Sequence, residues 1–217
     1  MIAGAAVQPA LGSLRRAVKH SASVRVTHWI TSLLFACFLL SGIEILISHP
    51  RFYWGDTGHS NTTPILTIPI PASRGHVPTG YNFVLKDQNS WSRSLHFQSA
   101  WFLLFTGLWY VLHGLFSGHF RERLLRTGEY NTLQRRTYLA VVFVLFPLMF
   151  WTGLAMSPTA TGVFPFLASV FGGQQSARTI HFFLTLMLVA FALGHVWMVY
   201  RTGFVRLVRD MISGGER

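Results

Sequence analysis

Hydrophobic positions in this chain gather into four windows, each close to the roughly 20 apolar residues that a helix needs to cross a bilayer. The first is Trp29 to Ser48, WITSLLFACFLLSGIEILIS, interrupted by one ionisable residue, Glu44. The second (Leu95 to Phe116), third (Thr137 to Met156) and fourth (Thr179 to Tyr200) contain no Asp, Glu, Lys or Arg. Pro147 lies inside the third and is expected to kink it, which membrane helices tolerate when neighbours satisfy the freed carbonyl. The pattern predicts an all-α membrane protein, a bundle of four transmembrane helices forming one domain over residues 1–217. No internal repeat is visible.

The polar stretches set the orientation. Residues 1–28 contain no apolar run resembling a cleaved signal and are expected to be a cytoplasmic arm. That arm (Arg15, Arg16, Lys19, Arg25), the connection before the third window (Arg121, Arg123, Arg126, Arg135, Arg136) and the tail 201–217 (Arg201, Arg206, Arg209, Arg217) share one side. The other side has only Arg51, Arg74, Lys86, Arg93 and Arg178. By the positive-inside rule both termini are expected to be cytoplasmic. The segment 49–93 then becomes a long exterior (periplasmic) loop, rich in Pro, Gly, Asn and Thr. Its short β-branched stretches predict turns and a small hairpin. Its aromatics, Phe52, Tyr53, Trp54, Tyr81, Phe83 and Trp91, make it a candidate docking surface.

Composition agrees with a bilayer. The chain is 51% hydrophobic and 15% aromatic but only 12% charged, against about 25% charged in soluble domains. The net charge of +11 is explained by topology and attraction to anionic lipid, so nucleic-acid binding is not needed to account for it. The single cysteine, Cys37, excludes an intrachain disulfide and four-cysteine iron–sulfur ligation. No C-x-x-C-H run is present for covalent haem attachment. Cys37 is expected to be a small buried hydrophobe.

Histidine is where the chemistry concentrates. An imidazole inside a membrane helix is costly without a partner and points to function. His181 and His195 lie 14 residues apart on the fourth helix, within about 40° of one face and about 21 Å apart along the axis. One helix can therefore offer a ligand near each side of the membrane, and low-spin electron-transfer haem needs two imidazoles per iron. His28 opens the first helix at the depth of His195, and His96 opens the second at the depth of His181. The expected pairs are His28 with His195 at an inner haem b, and His96 with His181 at an outer one. His113 lies 17 residues after His96, about 100° away around the helix. A propionate or quinone contact, a packing role and an alternative ligand all stand open for it. Gly42, 14 residues after His28, shares its face at the outer depth, where either macrocycle packing or helix contact would use it. His20, His49, His59, His76 and His119 are expected at the surface. Glu44 is read as structural, with proton carriage as the alternative.

The segments VRVTHWITSLLFACFLLSG and LHFQSAW, with the His181–His195 pair, resemble the bacterial cytochrome b561 superfamily. That superfamily includes the membrane subunits of formate dehydrogenase and nickel–iron hydrogenase. The resemblance spans roughly Arg25 to Tyr200 and implies that His28, His96, His181 and His195 ligate two b haems. Tyr130-Asn131 with Gln134 resembles the segment bordering the quinone site in formate dehydrogenase subunits, which makes Asn131 and Gln134 candidate quinone contacts. The exterior segment looks like the subgroup that accompanies periplasmic molybdopterin oxidoreductases. The reading implied is an electron-transfer subunit between such a partner and the membrane quinone, rather than a catalyst on its own. The alternative is a stand-alone membrane oxidoreductase, such as a superoxide:quinone oxidoreductase.

Overall fold

The computed structural model describes residues 21–58, 61–69, 89–118, 120 and 132–215. Helix α1 covers Ala22–Ser48 and opens on Ser21, whose hydroxyl accepts from the Val24 N–H at 3.4 Å. That bond satisfies one of the amides left over at a helix start. A two-stranded hairpin comes next, β1 (Arg51–Phe52) antiparallel to β2 (Leu66–Thr67), pairing Arg51 with Thr67 and Phe52 with Leu66. Helix α2 spans Asn89–Phe116. The third crossing is composite: α3 (Thr132–Ala140), a π-helical turn (Val141–Leu145) and α4 (Phe146–Ala155). Two short helices, α5 (Pro158–Val163) and α6 (Phe166–Ser169), precede α7 (Gln174–Ser213).

Four helical stretches, Ala22–Ser48, Ser90–Phe116, Arg136–Ala155 and Gln174–Ser213, are long and apolar enough to cross a membrane. Large side chains such as Leu33, Phe102, Phe105 and Leu193 point outward with more than half their surface exposed. A surface of that kind needs an apolar solvent. Within the bundle α1 packs closely on α2, and α4 on α7. Among the described residues the backbones of these two pairs scarcely approach each other. Side chains fill the space between them, and the histidines are there.

Three local features differ from the sequence expectation. Pro147 does not simply kink the third helix. The chain widens into a π turn just before it, with the Phe146 N–H donating to the Val141 carbonyl five residues back. The wider turn accommodates a residue that lacks a donor and whose ring crowds the preceding carbonyls. The short helices α5 and α6 leave no mark in the hydrophobic pattern, because four- and six-residue elements have too few turns to show periodicity. The tail is helical to Ser213 and breaks at Gly203 (φ 124°). Beyond that break the Met211 and Ile212 carbonyls accept from Trp29 Nε1 (3.1 Å) and Arg25 Nη1 (2.5 Å), tying the end of α7 to the start of α1.

At the opposite end the hairpin is clasped onto α7. The Thr179 hydroxyl donates to the Tyr53 carbonyl at 2.7 Å, the Gln175 N–H to the Gly55 carbonyl at 2.9 Å, and the Gly55 N–H to Ser176 Oγ at 2.8 Å. Phe52 stacks against Phe182 with ring centres 4.5 Å apart. Phe52 and Tyr53 are therefore anchors, buried rather than displayed, whereas Trp54 and Trp91 are exposed. Tyr81 and Phe83 lie outside the described residues. The clasp needs Gly173, whose φ of 121° and ψ of 170° suit only glycine, and whose missing Cβ would strike the Gly55 backbone. Gly173→Ala should therefore destabilise the protein by about 1–3 kcal/mol from backbone strain alone. Thermal unfolding in detergent, monitored by tryptophan fluorescence, should show a clearly lowered Tm; an unchanged Tm would contradict this packing.

Candidate cofactor site between the helix pairs

The four histidines of the sequence argument meet as two pairs. The ring centres of His28 (α1) and His195 (α7) are 6.3 Å apart, inclined at 56°. Those of His96 (α2) and His181 (α7) are likewise 6.3 Å apart, at 55°. Two unrelated contacts with the same spacing and tilt call for a common cause. A first-row metal ion sits about 2 Å from an imidazole nitrogen, and the ring centre lies just over 1 Å further, so two rings facing across one ion stand a little over 6 Å apart. Both gaps have that width. Among the described residues no cluster of three or more His, Cys, Asp or Glu could hold a bare metal ion. Two protein donors per site suit an iron whose remaining positions come from a macrocycle.

The second pair has a supporting shell. His96 Nδ1 lies 3.0 Å from Ser41 Oγ, and that hydroxyl lies 2.7 Å from the Cys37 carbonyl, to which it donates. His181 Nδ1 lies 2.9 Å from Thr152 Oγ1, which donates to the Leu148 carbonyl at 2.8 Å. Each hydroxyl proton is spent on a helix carbonyl, so each oxygen accepts from an Nδ1–H. Nε2 is then left with its lone pair for the gap. In the first pair, His195 stacks on Phe191 (5.9 Å), and His28 meets Trp29 edge-on (5.4 Å).

Gly42 is at the depth of the second pair, and a Cβ there would come within 4.0 Å of His96 Cε1. Gly153 has the matching place beside His181, at 3.8 Å. His113 joins neither pair; its ring stacks on Trp109 one turn earlier, 6.3 Å away. Asn131, the side chain of Gln134, and His20, His59, His76 and His119 lie outside the described residues. Glu44 is buried (6% exposed), on the same face of α1 as buried Ser41 and Ser48, and its Oε1 has no hydrogen-bond partner among the described residues. Sequence reasoning misses Ser41, Thr152 and Gly153. Single hydroxyls and glycines in apolar helices carry no distinguishing pattern until the histidines opposite them are known.

His49 departs from its expected surface position. It caps α1, half-buried, with Arg93 Nη2 3.4 Å from its Nε2 and Arg178 donating to its carbonyl. Arg178 also lies over the Phe52 ring, 5.0 Å from its centre. Arg93 and Arg178 each stand three residues before a histidine of the second pair, so two cations border that site at its end of the bundle.

The family model for prokaryotic cytochrome b561 matches residues 19–214. The chain belongs to the prokaryotic cytochrome b561 family. It is thus a multi-pass membrane electron-transfer protein, and membership implies haem b. A relative from Azospira oryzae is 28% identical over 207 residues, covering 83% of this chain and 89% of that protein. That relative carries, provisionally, the name protein-methionine-sulfoxide reductase subunit YedZ1. No solved structure matches.

Burial and the nearby Arg178 and Arg93 charges lower the His49 pKa from 6.5 to about 4. Above pH 6.5 the residue is neutral whether folded or unfolded, and stability does not respond to it. Between pH 6.5 and about 4 the unfolded chain takes up a proton that the folded one refuses, so stability falls as pH falls. Unfolding temperatures measured across that range should drop less steeply for His49→Gln than for wild type. Parallel curves would contradict the assignment.

Proposed function

We propose that this cytochrome holds two b haems, one between each histidine pair, and passes electrons between a membrane quinone and a periplasmic redox partner. The observation that carries the reading is the pair of imidazole gaps, both 6.3 Å wide, at two depths along α7. Bound haem b would supply one-electron exchange at each site. His28 with His195, and His96 with His181, would be the axial ligands. Their spacing of 14 residues on α7 corresponds to about 21 Å along the helix. Arg93 and Arg178 would neutralise the acidic edge of the macrocycle at the second site. Asn131 and Gln134 remain candidate quinone contacts by resemblance.

The charge asymmetry supports a bacterial inner-membrane location with both termini cytoplasmic, which makes the His96/His181 site the periplasmic one. The partner reading rests on the relative named as a methionine-sulfoxide reductase subunit. A molybdopterin-type reductase acting on oxidised methionine is the partner class that fits, with electrons leaving quinol for the exterior.

The test uses the purified cytochrome, a reduced quinol analogue and a periplasmic methionine-sulfoxide reductase from the same genome. Quinol should reduce the haem absorbance, and partner plus methionine sulfoxide should reoxidise it over several turnovers. Quinone reduction from superoxide without any partner would contradict the reading and favour the stand-alone enzyme.

A further inference from the structure

Resting on the haem-binding reading above, we propose that Ser41 and Thr152 are positioning residues of the His96/His181 site that fix the tautomer of both imidazoles and lower that haem's potential.

The two residues occupy equivalent places. Each is succeeded by a glycine, Ser41-Gly42 on α1 and Thr152-Gly153 on α4, and each hydroxyl–glycine step seats one imidazole. The hydroxyl takes the ring's Nδ1 side, and the glycine leaves space at Cε1, 4.0 Å and 3.8 Å from where its Cβ would be. Both hydroxyls are fully buried at 0% exposure, so water cannot substitute for them. Among the described residues, neither imidazole is hydrogen-bonded by a side chain of its own helix. His96 is oriented from α1 and His181 from α4, so the site closes only when α1/α2 and α4/α7 are each correctly packed.

The electronic effect comes from the bonding. An Nδ1–H that donates to an oxygen leaves the imidazole more basic at Nε2. A more basic ligand favours ferric over ferrous iron and lowers the potential. In the first site His195 rests on the Phe191 ring.

The experiment is a redox titration of the purified haem-loaded protein with low-spin electron paramagnetic resonance on wild type, Ser41→Ala, Thr152→Val, Ser41→Thr and Thr152→Ser. Removing either hydroxyl should shift the oxidised/reduced equilibrium of one haem component about tenfold toward reduced, about 59 mV upward for one electron. The g-values of that component should move and those of the other stay put. The hydroxyl-bearing variants should return both toward wild type. Should Ser41→Ala or Thr152→Val lose that haem, retention in Ser41→Thr or Thr152→Ser still supports a hydroxyl role, and equal loss in both overturns it. An unmoved potential in a fully loaded Ala or Val variant contradicts the inference alone. A wild type without haem contradicts the function itself, and the inference with it.

Discussion

An imidazole has two polar nitrogens, and in the middle of a bilayer neither can be left to water. That constraint organises this protein. His96 and His181 each spend one nitrogen on a buried hydroxyl from a neighbouring helix and aim the other at a gap. The gap exists because α1/α2 and α4/α7 pack tightly within each pair and only sparsely across. A bundle packed uniformly on small residues would have closed it. Here the two histidine pairs face each other between the helix pairs at two levels, and the cost of burying imidazoles is met where a cofactor would use them.

Helix α7 is the ruler of the arrangement, because it contributes a histidine to both levels. Its two ends are fixed by different means. At one end the hairpin is clasped through Gly55, Tyr53 and Thr179, with Gly173 allowing the backbones to touch. At the other, the bend at Gly203 turns the last residues so that Arg25 and Trp29 reach their carbonyls. The π turn before Pro147 does a related job in the third crossing. One additional residue in that turn changes the helical phase of α4, and Thr152 on α4 faces His181.

Much of this was legible in the sequence, for identifiable reasons. Four long apolar windows stand out because the bilayer demands about 20 residues of each. His181 and His195 could be placed on one face and at two depths because helical rise and twist are nearly constant. The partners His28 and His96 emerged from depth alone. The features that stayed hidden depend on contacts between helices. Ser41 and Thr152 look like any small residue of a membrane helix, and the burial of Phe52 and Tyr53 requires knowing where α7 begins. His49 looked like a surface residue, yet Arg93 and Arg178 converge on it from two other helices.

If each histidine pair holds its own haem, the two sites can be emptied one at a time. The decisive quantity is haem b per chain, with reduced-minus-oxidised spectra, for wild type and single His→Ala variants. Two haems are expected in wild type. His28→Ala and His195→Ala should remove one and the same spectral component, and His96→Ala and His181→Ala the other, while His113→Ala keeps both. Loss of a haem in His113→Ala with both retained in His96→Ala would contradict the pairing, as would a single haem in the wild-type protein.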